Sequence, residues 1–250
     1  MEIRIIPGSL FLQACFYGIA LAIVAAAAML VRAASRSSGD SAKEAARLQM
    51  RFLLGALIWI AVISAAAFSG LLLPRGGRPL GFAILVVSII VLGVTIARSR
   101  IGDRLARGAS LAMLVIFQSF RFPLELTLHR AYVEGLMPEQ MSYSGRNFDI
   151  ITGVTALLLG VTMMVTRVPR WAVLSWNVLG LILLANIVGV AILSTPAFAY
   201  FGPDRLNLWV MWMPYTLLPG VMVLAAWAGH LIVFRALAQP SRSMKAGSSM

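Results

Sequence analysis

Charge is what this chain has least of. Of its 250 residues only 12% are Asp, Glu, Lys or Arg and 60% are hydrophobic, whereas soluble domains carry about 25% charged residues. One charged residue in eight cannot cover a folded surface of this size, so a water-soluble globule is excluded. Acidic groups are scarcest, nine Asp and Glu facing 21 Lys and Arg for a formal net charge of +12. Such an excess can mark a nucleic-acid binder, but here the basic residues flank apolar runs of about 20 residues, where they orient helices against a bilayer. Nucleic acid is excluded as a partner, and the chain reads as an all-α polytopic membrane protein.

Other shortages remove whole chemistries. The single cysteine, Cys15, rules out an internal disulfide, and without CxxC or clustered histidine there is no zinc or iron–sulfur framework. Both lysines, Lys43 and Lys245, fall outside the apolar runs, so no retinal Schiff base can form. The two histidines, His129 and His230, fall near opposite ends of their runs and do not suit one bis-histidine haem. Methionine pairs such as Met163-Met164 are read as packing rather than copper ligands. Neither a cofactor nor a metal is expected.

What the chain has in abundance is hydrophobic length. Seven runs can each cross a hydrocarbon core of about 30 Å: roughly Leu10 to Val31, Phe52 to Leu73, Leu80 to Ala97, Gly108 to Leu128, Phe148 to Thr166, Trp171 to Ser194 and Leu208 to Phe234. The first exceeds a signal peptide's h-region of about 7–15 residues and its basic flank follows it, so it reads as a retained helix. The fourth is expected to continue as helix towards Met137. Between the first two, Ser35 to Arg47 is predicted to be a short separate helix capped by Asp40 or Ser41. One seven-helix domain over residues 1–238 and a disordered cytoplasmic tail over 239–250 are expected. Fourteen basic residues lie on one side of this arrangement and six on the other, which places the N-terminus outside and the C-terminus in the cytoplasm of a bacterial inner membrane. No internal repeat supports a transporter of duplicated halves.

The twenty-first basic residue, Arg121, lies inside the fourth run with Glu125 one turn on, and intramembrane ionisable groups are functional candidates by default. Gln118, Arg121, Glu125 and Tyr132 form one helical stripe. Pro123 strips the Ser119 carbonyl of its helical donor and should distort the helix beside Arg121. Arg121 and Glu125 can neutralise one another, or Asp149 can become the partner of Arg121 and release Glu125. Asn147 reads as the N-cap of the fifth helix, with Asp149 in its first turn. Asn186, Trp212 and Tyr215 fall in the same outer half. Trp209 reads as interfacial belt, and Asn177 and His230 as inner helix-to-helix hydrogen bonds.

Phe120-Arg121-x-Pro123-x-Glu125, Gly145-Arg146-Asn147-Phe148-Asp149-Ile150, Trp176-Asn177, Asn186-Ile187-Val188 and His230-Leu231 occur in this order. This second half resembles a family of uncharacterised bacterial multi-helix integral membrane proteins. The resemblance implies an inner-membrane location and makes the fourth and fifth helices the signature region, but implies no activity. From the residues, the leading expectation is an outward-facing ligand-binding pocket formed by Gln118, Arg121, Glu125, Asn147, Asp149, Asn186, Trp212 and Tyr215, in a sensor or carrier. Arg121 would meet an anionic group and Glu125 or Asp149 a proton or cationic group. The bilayer and a small molecule are the expected partners. The alternatives are an intramembrane enzyme acting on a lipid-linked substrate, with Glu125 as base beside His129, and an assembly subunit whose charges pin helices together.

Overall fold

The computed structural model describes residues 8–74 and 76–239. Arg4, Arg75 and the expected tail beyond Gln239 lie outside the described residues. Among those described, nine α-helices, short 3-10 turns and one π-helical stretch make up the regular structure, with no strand. Six stretches are long and apolar enough to cross a membrane: Leu10–Ser37, Ala42–Phe68, Leu80–Arg98, Leu111–Val133, Arg170–Leu193 and Leu218–Ala238. A seventh apolar helix, Asp149–Val165, is 17 residues long.

Helix α1 (Leu10–Ser37) starts where the Ser9 hydroxyl accepts the Leu12 N–H. Helix α2 (Ala42–Phe68) opens on a capping box, Ser41 bonding the Glu44 N–H and Glu44 returning to the Ser41 N–H. The Ser41 cap and Glu44 match the expected start, but the helix does not stop near Arg47. Nothing between Ala42 and Phe52 breaks a helix, so the polar Ala-rich segment and the second apolar run are one element. Helix α3 (Leu80–Arg98) is followed after Ser99 by α4 (Arg100–Gly108). This short amphipathic helix was not anticipated from a stretch read only as basic flank, and it buries Leu105 and Ala106. The next span is α5 (Leu111–Phe117), a 3-10 turn over Gln118–Phe120, and α6 (Arg121–Val133). Helix α7 (Asp149–Val165) and α8 (Arg170–Leu193) follow the sequence reading closely, α8 starting directly after Pro169.

The last span departs most. Helix was expected from Leu208, yet residues 209–211 form a 3-10 turn, and the continuous rod begins as the π-helical stretch Leu218–Val223 and runs on as α9 (Leu224–Ala238). Pro214 and Pro219 each lack the donor an α-helical ladder needs, which moves the helix start inward by about three turns.

The rod of π-stretch and α9 is the hub. It packs on α3, α4, α5 and α8, while α1 packs on α2, α4 and α6, and α7 fits between α5–α6 and α8. Helix α2 leans mainly on α1 and keeps Leu54, Leu57, Ile58 and Val62 exposed, as a lipid-facing helix does. One end of the bundle is arginine-rich and tied by acids. Asp40 meets Arg104 at 2.7 Å, Asp103 meets Arg107 at 2.8 Å and Arg235 at 3.3 Å, and Arg235 also caps α3 through the Ala97 carbonyl. The Ser35 hydroxyl and then Arg104 hold the Asp40 carboxyl below its ordinary range.

Candidate functional site

Proline and glycine set the site's backbone. Pro123 leaves the Ser119 carbonyl without its helical donor, and the chain tightens into the 3-10 turn over Gln118–Phe120 immediately before Arg121. On the facing helix, a Cβ at Gly153 would stand 2.3 Å from the Phe122 backbone nitrogen. Only a glycine allows that backbone-to-backbone approach, and one turn earlier on α7 it brings Asp149 against Arg121.

The guanidinium engages Asp149 as a fork, Nε donating to Oδ2 at 2.7 Å and Nη2 donating to Oδ1. Asp149, rather than Glu125, is therefore the partner of Arg121. Its remaining arm, Nη1, lies 2.8 Å from His230 Nε2, and His230 Nδ1 lies 2.8 Å from Asn177 Oδ1. A guanidinium only donates, so Nε2 accepts and the ring proton sits on Nδ1, directed at the Asn177 carbonyl oxygen. The Asn177 amide closes the link by donating to the His230 carbonyl. A Cβ at Gly180 would lie 2.6 Å from His230 Cε1, so a glycine seats the ring against α8.

Asn147 organises the other flank. Its Oδ1 accepts the Asp149 N–H at 3.1 Å from one residue before the N-cap, which is Phe148 rather than the expected Asn147, while its Nδ2 donates to Glu125 Oε2 at 2.7 Å and to the Met141 carbonyl. One side chain thus ties the start of α7 to a buried carboxylate on α6. Arg121, Glu125, Asn147, Asp149, Asn177 and His230 are all at most 5% exposed.

Arg121, Glu125, Asn147 and Asp149 border a cavity of about 420 Å³ among α3, α6, α8 and the π-stretch. Asn207, from the loop after α8, is the fifth polar residue on a wall otherwise built of groups such as Phe82, Leu124, Leu184, Met222 and Trp227. Two acceptors on this wall are unused. Glu125 Oε1 has no hydrogen-bond partner among the described residues, and neither has the fully buried Asn207 Oδ1.

The remaining sequence candidates lie elsewhere. Gln118 is buried and donates to the Ala226 carbonyl, fastening the 3-10 turn to α9. Asn186 is exposed on α8 and holds the Arg146 carbonyl at 2.7 Å. Tyr215 joins Phe16 and Trp209 in an edge-on aromatic cluster, its hydroxyl accepting the Gly8 N–H. Trp212 packs at the margin of that core and does not border the cavity. Trp209, read as belt, is buried in it. His129 stacks on Tyr143 and meets Ser144 Oγ at 3.2 Å, away from Glu125.

Sequence reasoning placed Arg121 and His230 at different depths because it misjudged two helix ends. Counted from Leu111, Arg121 is about 15 Å into its span, and counted back from Ala238, His230 is about 12 Å into its own. Asn207 carried no sequence signal, sitting in a loop that only the fold brings under the bundle. Among the described residues no group of three or more His, Cys, Asp or Glu is arranged to hold a metal ion. Compared with family models, curated proteins and solved structures, the chain matches none.

Proposed function

We propose that the chain is a bacterial inner-membrane protein of seven spans, N-terminus outside, that binds a small ligand in the cavity beside Arg121 as a sensor or carrier. Helix α7 serves as the seventh span. Its 17 residues make about 26 Å of helix, within a few ångströms of the hydrocarbon core, and it is packed on both flanks by other spans. The arginine-rich end faces the cytoplasm, in keeping with the fourteen-to-six division of basic residues. The resemblance of its motifs to those of uncharacterised bacterial multi-helix membrane proteins is in keeping with this assignment.

The observation that carries the binding reading is a cavity of about 420 Å³ bordered by a carboxylate and an amide with unused acceptor atoms. Its volume lies in the range of about 300–1,000 Å³ typical of small-molecule sites, and a mostly apolar wall with few directed polar groups is their usual make-up. Because Arg121 is spent on Asp149 and His230, the groups left for a ligand are Glu125 and Asn207. The guanidinium holds the site together, and an anionic ligand on Arg121 is no longer the favoured mode.

Thermal melting of the detergent-solubilised protein across a metabolite and lipid panel tests this. A ligand that raises Tm for wild type and much less for Glu125→Gln or Asn207→Leu is expected. Unchanged ligand responses in Glu125→Gln and Arg121→Ala, together with an unaltered phenotype, would sink the proposal.

A further inference from the structure

We infer that the occupant of this cavity is a membrane lipid whose head group carries a primary ammonium, entering sideways between α3 and α8 and setting that ammonium against Glu125. The inference rests on the binding reading above and adds the class of ligand and its route.

The route follows from packing. Helices α3 and α8 both pack on α9, and no comparable packing joins α3 to α8. Both nevertheless border the cavity, α3 through Phe82, Val86 and Ile90, α8 through Leu184, Ala185 and Val188. Ile90 and Ala185, which border the cavity, are themselves exposed, and in a bilayer an opening between these two helices would meet the apolar phase. A polar metabolite would meet hydrocarbon there, whereas an acyl chain would exchange one hydrocarbon environment for another at little desolvation cost.

The head group follows from charge. Two carboxylates, Glu125 and Asp149, and one cation, Arg121, meet at the cavity. The fork between Arg121 and Asp149 forms one neutral pair, and His230 accepts from Arg121 through a nitrogen that carries no proton. Glu125 is left without a counter-charge, bonded on one oxygen by a neutral amide. An unpaired carboxylate in a low-dielectric interior is strongly unfavourable, and it keeps its charge only where a cation meets it, being otherwise neutralised by a proton. The unused atoms, Glu125 Oε1 and Asn207 Oδ1, are both acceptors, and an ammonium group offers three donors and no acceptor. A quaternary ammonium has the charge without donors, and the head group of phosphatidylglycerol has hydroxyl donors without the positive charge.

Full-length protein in detergent is melted with added phosphatidylethanolamine, phosphatidylcholine or phosphatidylglycerol, and separately with free ethanolamine. Phosphatidylethanolamine is expected to raise Tm well above the other two lipids. Glu125→Gln should weaken its apparent affinity by about ten- to a hundredfold, the size of a lost charge-assisted hydrogen bond. Ala185→Trp, which narrows the gap without touching a polar group, should abolish the lipid effect while helical circular dichroism is retained. Equal responses to all three lipids, or an undiminished response in Glu125→Gln and Ala185→Trp, overturn the inference. A response to free ethanolamine with none to phosphatidylethanolamine overturns the lipid and its route while leaving the ligand site standing. If no additive acts and filling the cavity with Leu184→Phe raises Tm, the void is a packing defect and both readings fall.

Discussion

A guanidinium at 1% exposure persists in a membrane interior only because every arm of its fork is directed at an acceptor. Asp149→Ala leaves that cation unpaired and is expected to lower stability by about 3–5 kcal/mol, the usual penalty for breaking a buried ion pair. Removing both charges, as in Arg121→Met with Asp149→Leu, should recover most of the loss, because no charge is then stranded. Thermal melts of the single and double variants in one detergent check this, and additive losses would mean that the two groups act independently. Asn177→Leu removes the acceptor for the His230 ring proton and is expected to cost about 1–3 kcal/mol. In the same variant Arg121 still donates to Nε2, so the His230 ring should keep its single tautomer in nitrogen NMR while the Nδ1 signal shifts as its proton loses its acceptor. Arg121, Glu125 and Asp149 were legible in the sequence because charge stands out against an apolar background, and Asn147 because it precedes the fifth helix. Asn207 was not, since an asparagine in a loop looks like any other loop asparagine until the fold places it.

Single residues decide where elements stop and how closely they approach. Pro123 produces a tight turn inside a span without ending it, whereas Pro214 and Pro219 together shift the start of the last span. Gly153 allows α7 to touch the backbone of α6. Gly153→Val is expected to force the two helices apart, lower Tm and expose the pair of Arg121 and Asp149, with a loss of about 1–3 kcal/mol typical of overpacking. Trapping of a cysteine placed at Leu124 by a small thiol reagent, slow in an otherwise cysteine-free protein, should accelerate in this variant. At the far end of α6, Glu134 accepts from the Ser9 N–H and hydroxyl and from Arg130. These donors, the Ser9 N–H foremost, hold its carboxyl down at about 2 instead of 4.5. A carboxyl depressed in the folded state stabilises above its unfolded pKa and loses that contribution as protons bind. The tie between α1 and α6 should therefore weaken as pH falls from 4.5 towards about 2. Glu134→Gln should flatten that part of the pH–stability curve, read by melting temperature between pH 2 and 5.

At the scale of the molecule, the rod formed by the π-stretch and α9 divides two voids. Pro219, Met222, Val223, Ala226 and Trp227 face the cavity described above. Gly220, Val221, Leu224, Ala225 and Ala228 face a second cavity of about 410 Å³, between α2 and the rest of the bundle and rimmed by Arg51. The proposed orientation has a direct test. With Cys15 replaced by alanine, a single cysteine at Ser38 should react with an impermeant maleimide only in permeabilised cells, and one at Ser144 should react in intact spheroplasts. The reverse pattern would invert the topology.

Composition and periodicity by themselves determined the membrane-spanning, all-helical character of the chain, because about twenty consecutive apolar residues have no stable place in water. They also isolated Arg121 and Glu125, because the transfer energy of an intramembrane charge is too large to be accidental. Only the tertiary structure decided how those charges are shared. Whether Arg121 turns to Glu125 on its own helix or to Asp149 on the next depends on how closely two backbones approach. That distance is fixed by Gly153 and by a turn before Arg121, and no one-dimensional pattern encodes it. The same holds for His230 and Asn177, brought to Arg121 by helix ends that local signals placed a turn or more away.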